Sequence, residues 1–158
     1  MKKTDYIQLK HFSNEDLEVL KTFKLPEEQG QFTSLPIHFQ EVIEGQHRIV
    51  IVDDAEPVGF FLLHVTERVK DYSDNRKAML LTSLSINHLK QGKGYAKQAM
   101  TLVKEFVVSE FPHYNEIVLA VNHKNTAAQK LYIKVGFQDT GRRKMGPIGE
   151  QFIMSLML

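Results

Sequence analysis

The chain has 158 residues, 42% of them hydrophobic and 25% charged, which is long enough for one true core and too apolar for an intrinsically disordered segment. Twenty basic against nineteen acidic side chains leave a formal charge of +1, so no broad field draws the protein to nucleic acid or to an anionic membrane. Cysteine is absent, which excludes disulfides, thiolate zinc sites, iron–sulfur clusters and cysteine nucleophiles, and fits a reducing compartment.

At the start, Asp5, Gln8 and Lys10 interrupt any apolar stretch after Met1-Lys2-Lys3, which argues against a signal peptide. Tyr6–Phe12 alternates apolar and polar residues as a strand does. Ser13-Asn14-Glu15-Asp16 then reads as a helix start, with Leu17, Leu20 and Phe23 as its apolar stripe. A linker-like stretch at 26–30 follows, and a second short helix is expected in Leu35–Ile43 after Pro36. Arg48–Val52 and Val58–Thr66 read as strands joined by a hairpin through Asp53-Asp54-Ala55-Glu56-Pro57. Their apolar cores, Ile49–Val52 and Phe60–Leu63, fall far short of the roughly 18 residues that a membrane helix needs.

A polar turn at 71–77 leads to a strand over Met79–Ile86. Beyond Gly94 the period changes. Ala96, Ala99, Met100, Val103, Phe106 and Val107 recur at helical spacing, and Pro112 bounds that helix. Ile117–Val121 is continuously apolar, as in a strand covered on both faces. A helix follows from Asn125, with Gly136 as its C′ residue. Phe137 opens a further strand, 142–149 reads as a linker, and Gln151–Leu158 is the last strand. In that strand Phe152, Ile153, Met154 and Leu156 suit either the core or a homodimer contact. The pattern predicts one cytoplasmic α/β (α+β) domain over residues 1–158, built on a mixed twisted sheet of six to seven strands flanked by about four helices.

The most informative segment is Leu84-Ser85-Ile86-Asn87-His88-Leu89-Lys90-Gln91-Gly92-Lys93-Gly94-Tyr95-Ala96. A strand leads through a short connector into glycines that open a helix. Glycines let a ligand approach the backbone, and the helix presents unpaired N–H groups with a positive dipole end, an arrangement suited to phosphate. Lys90 and Lys93 add full charges. Gly94 is followed by Tyr95 rather than Lys-Ser/Thr, so this is not a Walker A loop. Lys97 occupies the third glycine position of a dinucleotide fingerprint. Alone, the two glycines suit a tight turn equally well.

A second segment decides between these readings. Gln91, Gly94 and Ala96 match the Gln/Arg-x-x-Gly-x-Gly/Ala signature of the GNAT superfamily of N-acetyltransferases. Asn125, Ala128, Leu131, Tyr132, Gly136 and Phe137 match its Asn-x-x-Ala-x-x-Leu-Tyr…Gly-Phe pattern, at the required spacing. The chain therefore resembles that family, and the resemblance implies acetyl-coenzyme A as co-substrate and an amine as acceptor. It implies that the pyrophosphate rests on the N–H groups of the loop Gln91, Gly92, Lys93, Gly94, Tyr95 and Ala96. It also implies that the pantetheine arm runs beside Leu84, Ser85 and Ile86, whose free N–H groups hold the thioester carbonyl and the oxyanion that develops from it. Asn125 contacts the coenzyme in the family, and is also suited to cap the helix that follows it.

Tyr132 sits where family members place the tyrosine that protonates the departing thiolate; by pattern alone it also suits the apolar helix stripe. The strand Leu80-Leu81-Thr82-Ser83-Leu84 lacks the acid that many members use as general base, which leaves His64, His88 or a water chain. His38, His47, His113 and His123 show no metal-like spacing, so no metal is expected. Phe32 with Glu27, Glu28 and Glu41 resembles, faintly, the bacterial diamine and polyamine acetyltransferases of the superfamily. The expected activity is direct transfer of acetyl to a primary amine such as a small polyamine. A protein N-terminal acetyltransferase and a non-catalytic coenzyme-binding module are the alternatives.

Overall fold

The computed structural model describes residues 7–158. Tyr6, the expected first residue of the opening strand, and the Met1–Asp5 segment lie outside the described residues. Among the described residues seven strands form one sheet: β1 (Ile7–His11), β2 (Gln46–Asp53), β3 (Glu56–His64), β4 (Ala78–Ile86), β5 (Glu116–Asn122), β6 (Gln138–Gly146) and β7 (Gly149–Met157). Their spatial order is β1-β2-β3-β4-β5-β7-β6, and every neighbouring pair is antiparallel except β4–β5. Four α-helices among the described residues accompany it: α1 (Leu17–Leu20), α2 (Glu27–Gly30), α3 (Tyr95–Glu110) and α4 (Thr126–Lys134). The mixed sheet, strand count and helix count agree with the sequence reading.

The two faces of the sheet are buried by different partners. Ile49, Phe61, Leu63 and Met79 pack in one cluster with Ala99, Met100 and Val103 of α3 and with Tyr132 of α4. On the opposite face Val50, Phe60 and Leu62 pack with Leu20 and Phe23, while Leu80, Val118 and Ile153 pack with Val69 and Tyr72. Ile117, Val118 and Leu119 are all buried, as a strand covered on both faces requires. Ile153, Met154 and Leu156 are buried as well, because β7 lies inside the sheet between β5 and β6. These side chains belong to the core. Phe152, half-buried, lies under the Arg143 guanidinium, 4.2 Å from it.

Several boundaries differ from the sequence reading. The first helical segment is one 3-10 turn, Asn14–Asp16, continued by α1. There Asp16, 4% exposed, accepts the Ser13 backbone N–H at 2.9 Å and the Lys10 ammonium at 2.6 Å. Residues 26–30 are not a linker but contain α2, whose first turn begins after Pro26. The expected helix in Leu35–Ile43 is only a 3-10 turn, Pro36–Phe39; residues 40–43 beyond it are all exposed, the apolar Val42 and Ile43 included, so no face of a longer helix is buried there. The expected linker 142–149 is instead the end of β6 and the start of β7, joined by a two-residue turn at Pro147-Ile148. Its polar composition misleads because β6 is an edge strand, held by backbone pairing to β7 with mostly exposed side chains.

Candidate active site

Strands β4 and β5 pair through three positions only, Ala78 with Glu116, Met79 with Ile117 and Leu80 with Val118, and then diverge. From Leu81 onward β4 has no partner on that edge among the described residues. A bulge helps to turn it away. Leu62 pairs with Thr82 and Phe60 with Ser85, so one extra β4 residue is inserted, and Ser83 adopts φ +60°. That left-handed conformation is strained for a residue with a Cβ, by about 1–3 kcal/mol, and such strain is retained where surrounding structure over-determines it. The bulge also reverses which side chains face α3: Met79 and Leu81 before it, Leu84 and Ile86 after it.

Two adjoining clefts occupy the opening. The smaller, about 380 Å³, is lined by Ser85, Ile86, Gln91, Gly92, Gly94 and Ala96, among others. The larger, about 640 Å³, is lined by β4 residues Leu80–Leu84, by β5 residues Leu119–Asn122, by α4 and by the segment 28–34. Leu84, Thr33, Gln29 and Leu131 line both.

At the smaller cleft Gly92 (φ +79°) and Gly94 (φ +81°) take the left-handed conformation that glycine alone adopts freely, and Gly94 is the residue before α3. Among the described residues the N–H groups of Gly92, Lys93, Gly94 and Ala96 donate to no backbone carbonyl. Ser85 Oγ is buried without a hydrogen-bond partner. Unpaired donors at the head of a sixteen-residue helix, beside an unsatisfied hydroxyl, fit a pyrophosphate followed by a polar, extended arm. Lys90 lines the cleft but is paired with Glu56 at 3.1 Å, whereas Lys97, also lining it, makes no ion pair among the described residues. Lys93 is at the exposed loop tip and lines neither cleft.

Side chains of the loop brace it from beneath. Tyr95, 5% exposed, donates its hydroxyl to Asp53 at the end of β2, and that bond together with burial pushes its pKa up to about 12. Gln91 and Gln29 exchange two amide hydrogen bonds of 2.9 and 3.0 Å, and Gln91 Nε2 donates to the Ile86 carbonyl at 2.9 Å. Thr33 Oγ1 donates to the Leu84 carbonyl at 2.9 Å. The loop is thereby tied both to β4 and to the segment that walls the larger cleft.

Asn125 and Tyr132 line that larger cleft. Asn125 caps α4, its side-chain oxygen accepting the Ala128 N–H at 3.2 Å. At the other end Gly136 (φ +110°) sends its N–H to Ile133 and Phe137 sends its own to Tyr132, the paired bonds of a Schellman stop. Both caps fix the rotation of this short helix, and so the direction of Tyr132. Its ring packs edge-on to Phe137 with centroids 5.5 Å apart. Burial raises the phenol well above the usual tyrosine range, so it stays protonated at neutral pH.

The two histidines considered as bases line neither cleft. His64 is 3% exposed, with Nε2 2.6 Å from Thr82 Oγ1, and burial first, then the charge of Arg68, pushes its pKa down to about 4. His88 is an exposed residue of the connector. Glu28 and Phe32 do line the larger cleft; Glu27 and Glu41 do not. Sequence reasoning missed Thr33, Arg68 and Tyr72, which reach the site from segments remote in the chain and carry no motif.

The acetyltransferase (GNAT) family model matches residues 12–137. The chain belongs to that family. It is an N-acetyltransferase that draws on acetyl-coenzyme A. The acetyltransferase is 46% identical over 158 aligned positions to the uncharacterized N-acetyltransferase YbbJ of Bacillus subtilis (strain 168), covering 96% of this chain and 97% of that one. Among solved structures it resembles the aminoglycoside acetyltransferase AAC(6')-Ib in complex with paromomycin and acetyl-coenzyme A, with a TM-score of 0.75 at 17% identity, covering 97% of this chain and 94% of that chain. A spermidine N-acetyltransferase SpeG chimera from Vibrio cholerae gives a TM-score of 0.68 at 16% identity, covering 96% and 95%. At such identities the likeness extends to the fold.

Proposed function

We propose that this acetyltransferase passes the acetyl group directly to the primary amine of a small molecule, as one cytoplasmic domain over residues 1–158, with Tyr132 as the proton donor. Tyr132 carries the reading: it is buried, lines the larger cleft, is held protonated by its surroundings, and donates its hydroxyl to no group among the described residues. Bound acetyl-coenzyme A supplies the thioester. The N–H groups of Gly92, Lys93, Gly94 and Ala96 hold its pyrophosphate, whereas Gln91, whose N–H already donates to the His88 carbonyl at 3.3 Å, and Tyr95 brace the loop through their side chains. The edge of β4 that β5 leaves open, at Leu84, Ser85 and Ile86, receives its arm and carbonyl. Asn125 borders that path from the head of α4. The acceptor nitrogen bonds to the carbonyl carbon as the carbon–sulfur bond breaks. Sulfur takes the Tyr132 proton, and the proton lost by nitrogen leaves through water.

The size of the larger cleft supports a small acceptor, since about 640 Å³ is within the range of small-molecule sites. Support for a polyamine reduces to Glu28, the one carboxylate among the described lining residues. A protein N-terminus and a non-catalytic module both fit the cleft residues less well, the first by volume and the second by Tyr132. Thiol release from acetyl-coenzyme A, measured against amino acids, polyamines, aminoglycosides and peptides, tests the reading. Tyr132→Phe should keep coenzyme binding and lower turnover by about 10²–10⁴-fold. Unchanged turnover removes Tyr132 from the mechanism.

A further inference from the structure

The larger cleft contains one cationic side chain among its described lining residues, Arg68. It stands on the 3-10 turn Glu67–Asp71 that precedes β4, and makes no hydrogen bond or ion pair among the described residues. Its acidic neighbours are turned elsewhere: Glu67 pairs with Lys70 at 2.6 Å, and neither Glu67 nor Asp71 lines the cleft. Four residues on, Tyr72 is 7% exposed, lines the same cleft, and likewise donates its hydroxyl to no group among the described residues. Thr82 lines the same cleft, its hydroxyl 2.6 Å from His64 Nε2. A planar guanidinium with five donors and no acceptor, lining the same cleft as a phenol, suits an anion, and its fork matches a carboxylate.

We propose that the acceptor is a small amine that also bears an anionic group, a carboxylate by preference, and that Arg68 with Tyr72 on the cleft wall holds that group while the amine faces Tyr132. The proposal rests on the transferase reading and deepens it by naming the acceptor class. It follows from the charge of the cleft. A polyamine would bring several cations to a cleft whose described lining holds one arginine and a single carboxylate, Glu28. An amine with a carboxylate meets both: its anion pairs with Arg68, and its ammonium, before deprotonation, is drawn to Glu28.

The test uses the whole protein and sets of three amines of equal chain length: an ω-aminocarboxylate, the corresponding ω-amino amide and the α,ω-diamine, at several lengths, with an aminoalkyl phosphate added. Thiol release gives kcat/KM for each with the wild type, Arg68→Gln and Arg68→Lys. The wild type should favour the carboxylate over its amide by about 10-fold or more, as expected for a charge-assisted hydrogen bond, with the difference mainly in KM. Arg68→Gln should reduce that preference to about 3-fold or less, and Arg68→Lys should retain part of it, since a point charge replaces the fork. A preference for the phosphate over the carboxylate that disappears in Arg68→Gln keeps the anion site and changes its ligand. Amines that react with no advantage for the anion, or an advantage that survives Arg68→Gln, overturn this inference and leave the transferase reading intact. If no amine releases thiol although the coenzyme binds, the transferase reading falls and takes the inference with it.

Discussion

Acid should destabilise this fold through one imidazole. His64 closes β3, 3% exposed and hydrogen-bonded to Thr82, with a pKa pushed down from 6.5 to about 4 by burial first, then by Arg68 and His47. In the unfolded chain the same ring titrates near its ordinary value. Between the two values the unfolded state therefore holds the extra proton, and unfolding is favoured as pH falls. Stability is full above about pH 6.5, declines toward about pH 4, and is lowered by about 3 kcal/mol once that window has been crossed. Urea unfolding of the wild type and His64→Gln at about pH 7 and about pH 4.5 isolates the effect, because every other titratable group is present in both proteins. The wild type should lose about 2 kcal/mol more than the variant between those conditions. Equal losses would show that His64 is not held neutral in the core.

Two further substitutions probe the supports of the site. Asn125→Ala removes the α4 cap and should cost about 0.5–2 kcal/mol in chemical denaturation, with weaker coenzyme binding in a titration. An effect on neither would mean that α4 is fixed by its Gly136 stop alone. Gly59→Ala introduces a Cβ 2.7 Å from Ile86 Cδ1, 2.8 Å from Ile51 Cδ1 and 3.0 Å from the Ser85 carbonyl oxygen. The crowding should cost about 1–3 kcal/mol by thermal or urea unfolding, and should also loosen coenzyme binding because it presses on the end of β4. A neutral result would show that β3 and β4 part more readily than their packing implies.

The elements that carry the coenzyme loop were legible because their physics is local. Gly94 before an amphipathic run marks a helix start, and Asn125 with Gly136 brackets a short helix whatever surrounds it. The β4 bulge was less accessible, although a trace of it lies in the sequence: the apolar positions facing α3 shift from Met79 and Leu81 to Leu84 and Ile86. A strand read with one constant parity misses that step. The hairpin expected through 53–57 is tighter than read, since Asp53 pairs with Glu56 and Val52 with Pro57, and its two central residues, Asp54 (φ +49°) and Ala55 (φ +73°), lack the glycine that usually signals such a turn. Pairing of the long strands on either side holds Ala55 in a conformation it would not choose alone. Edge strand β6 has little apolar rhythm to read, since its partner is backbone. Arg68 and Tyr72 enter the cleft only through tertiary packing, and no spacing in the chain announces them.

The amide pair between Gln29 and Gln91 gives the two clefts a common fate. Gln29 borders both, while Gln91 belongs to the coenzyme loop. Whatever ligand rearranges or fixes that pair from one side changes the free energy of binding on the other, and thermodynamic reciprocity makes the factor equal in both directions. If the coenzyme fastens the pair and thereby sets the wall at Gln29 and Thr33, the acceptor meets a finished surface only afterwards. Kinetically that is an ordered sequence, with the coenzyme entering first. The order of substrates would then be written in an amide pair between two glutamines, neither of which takes part in the chemistry.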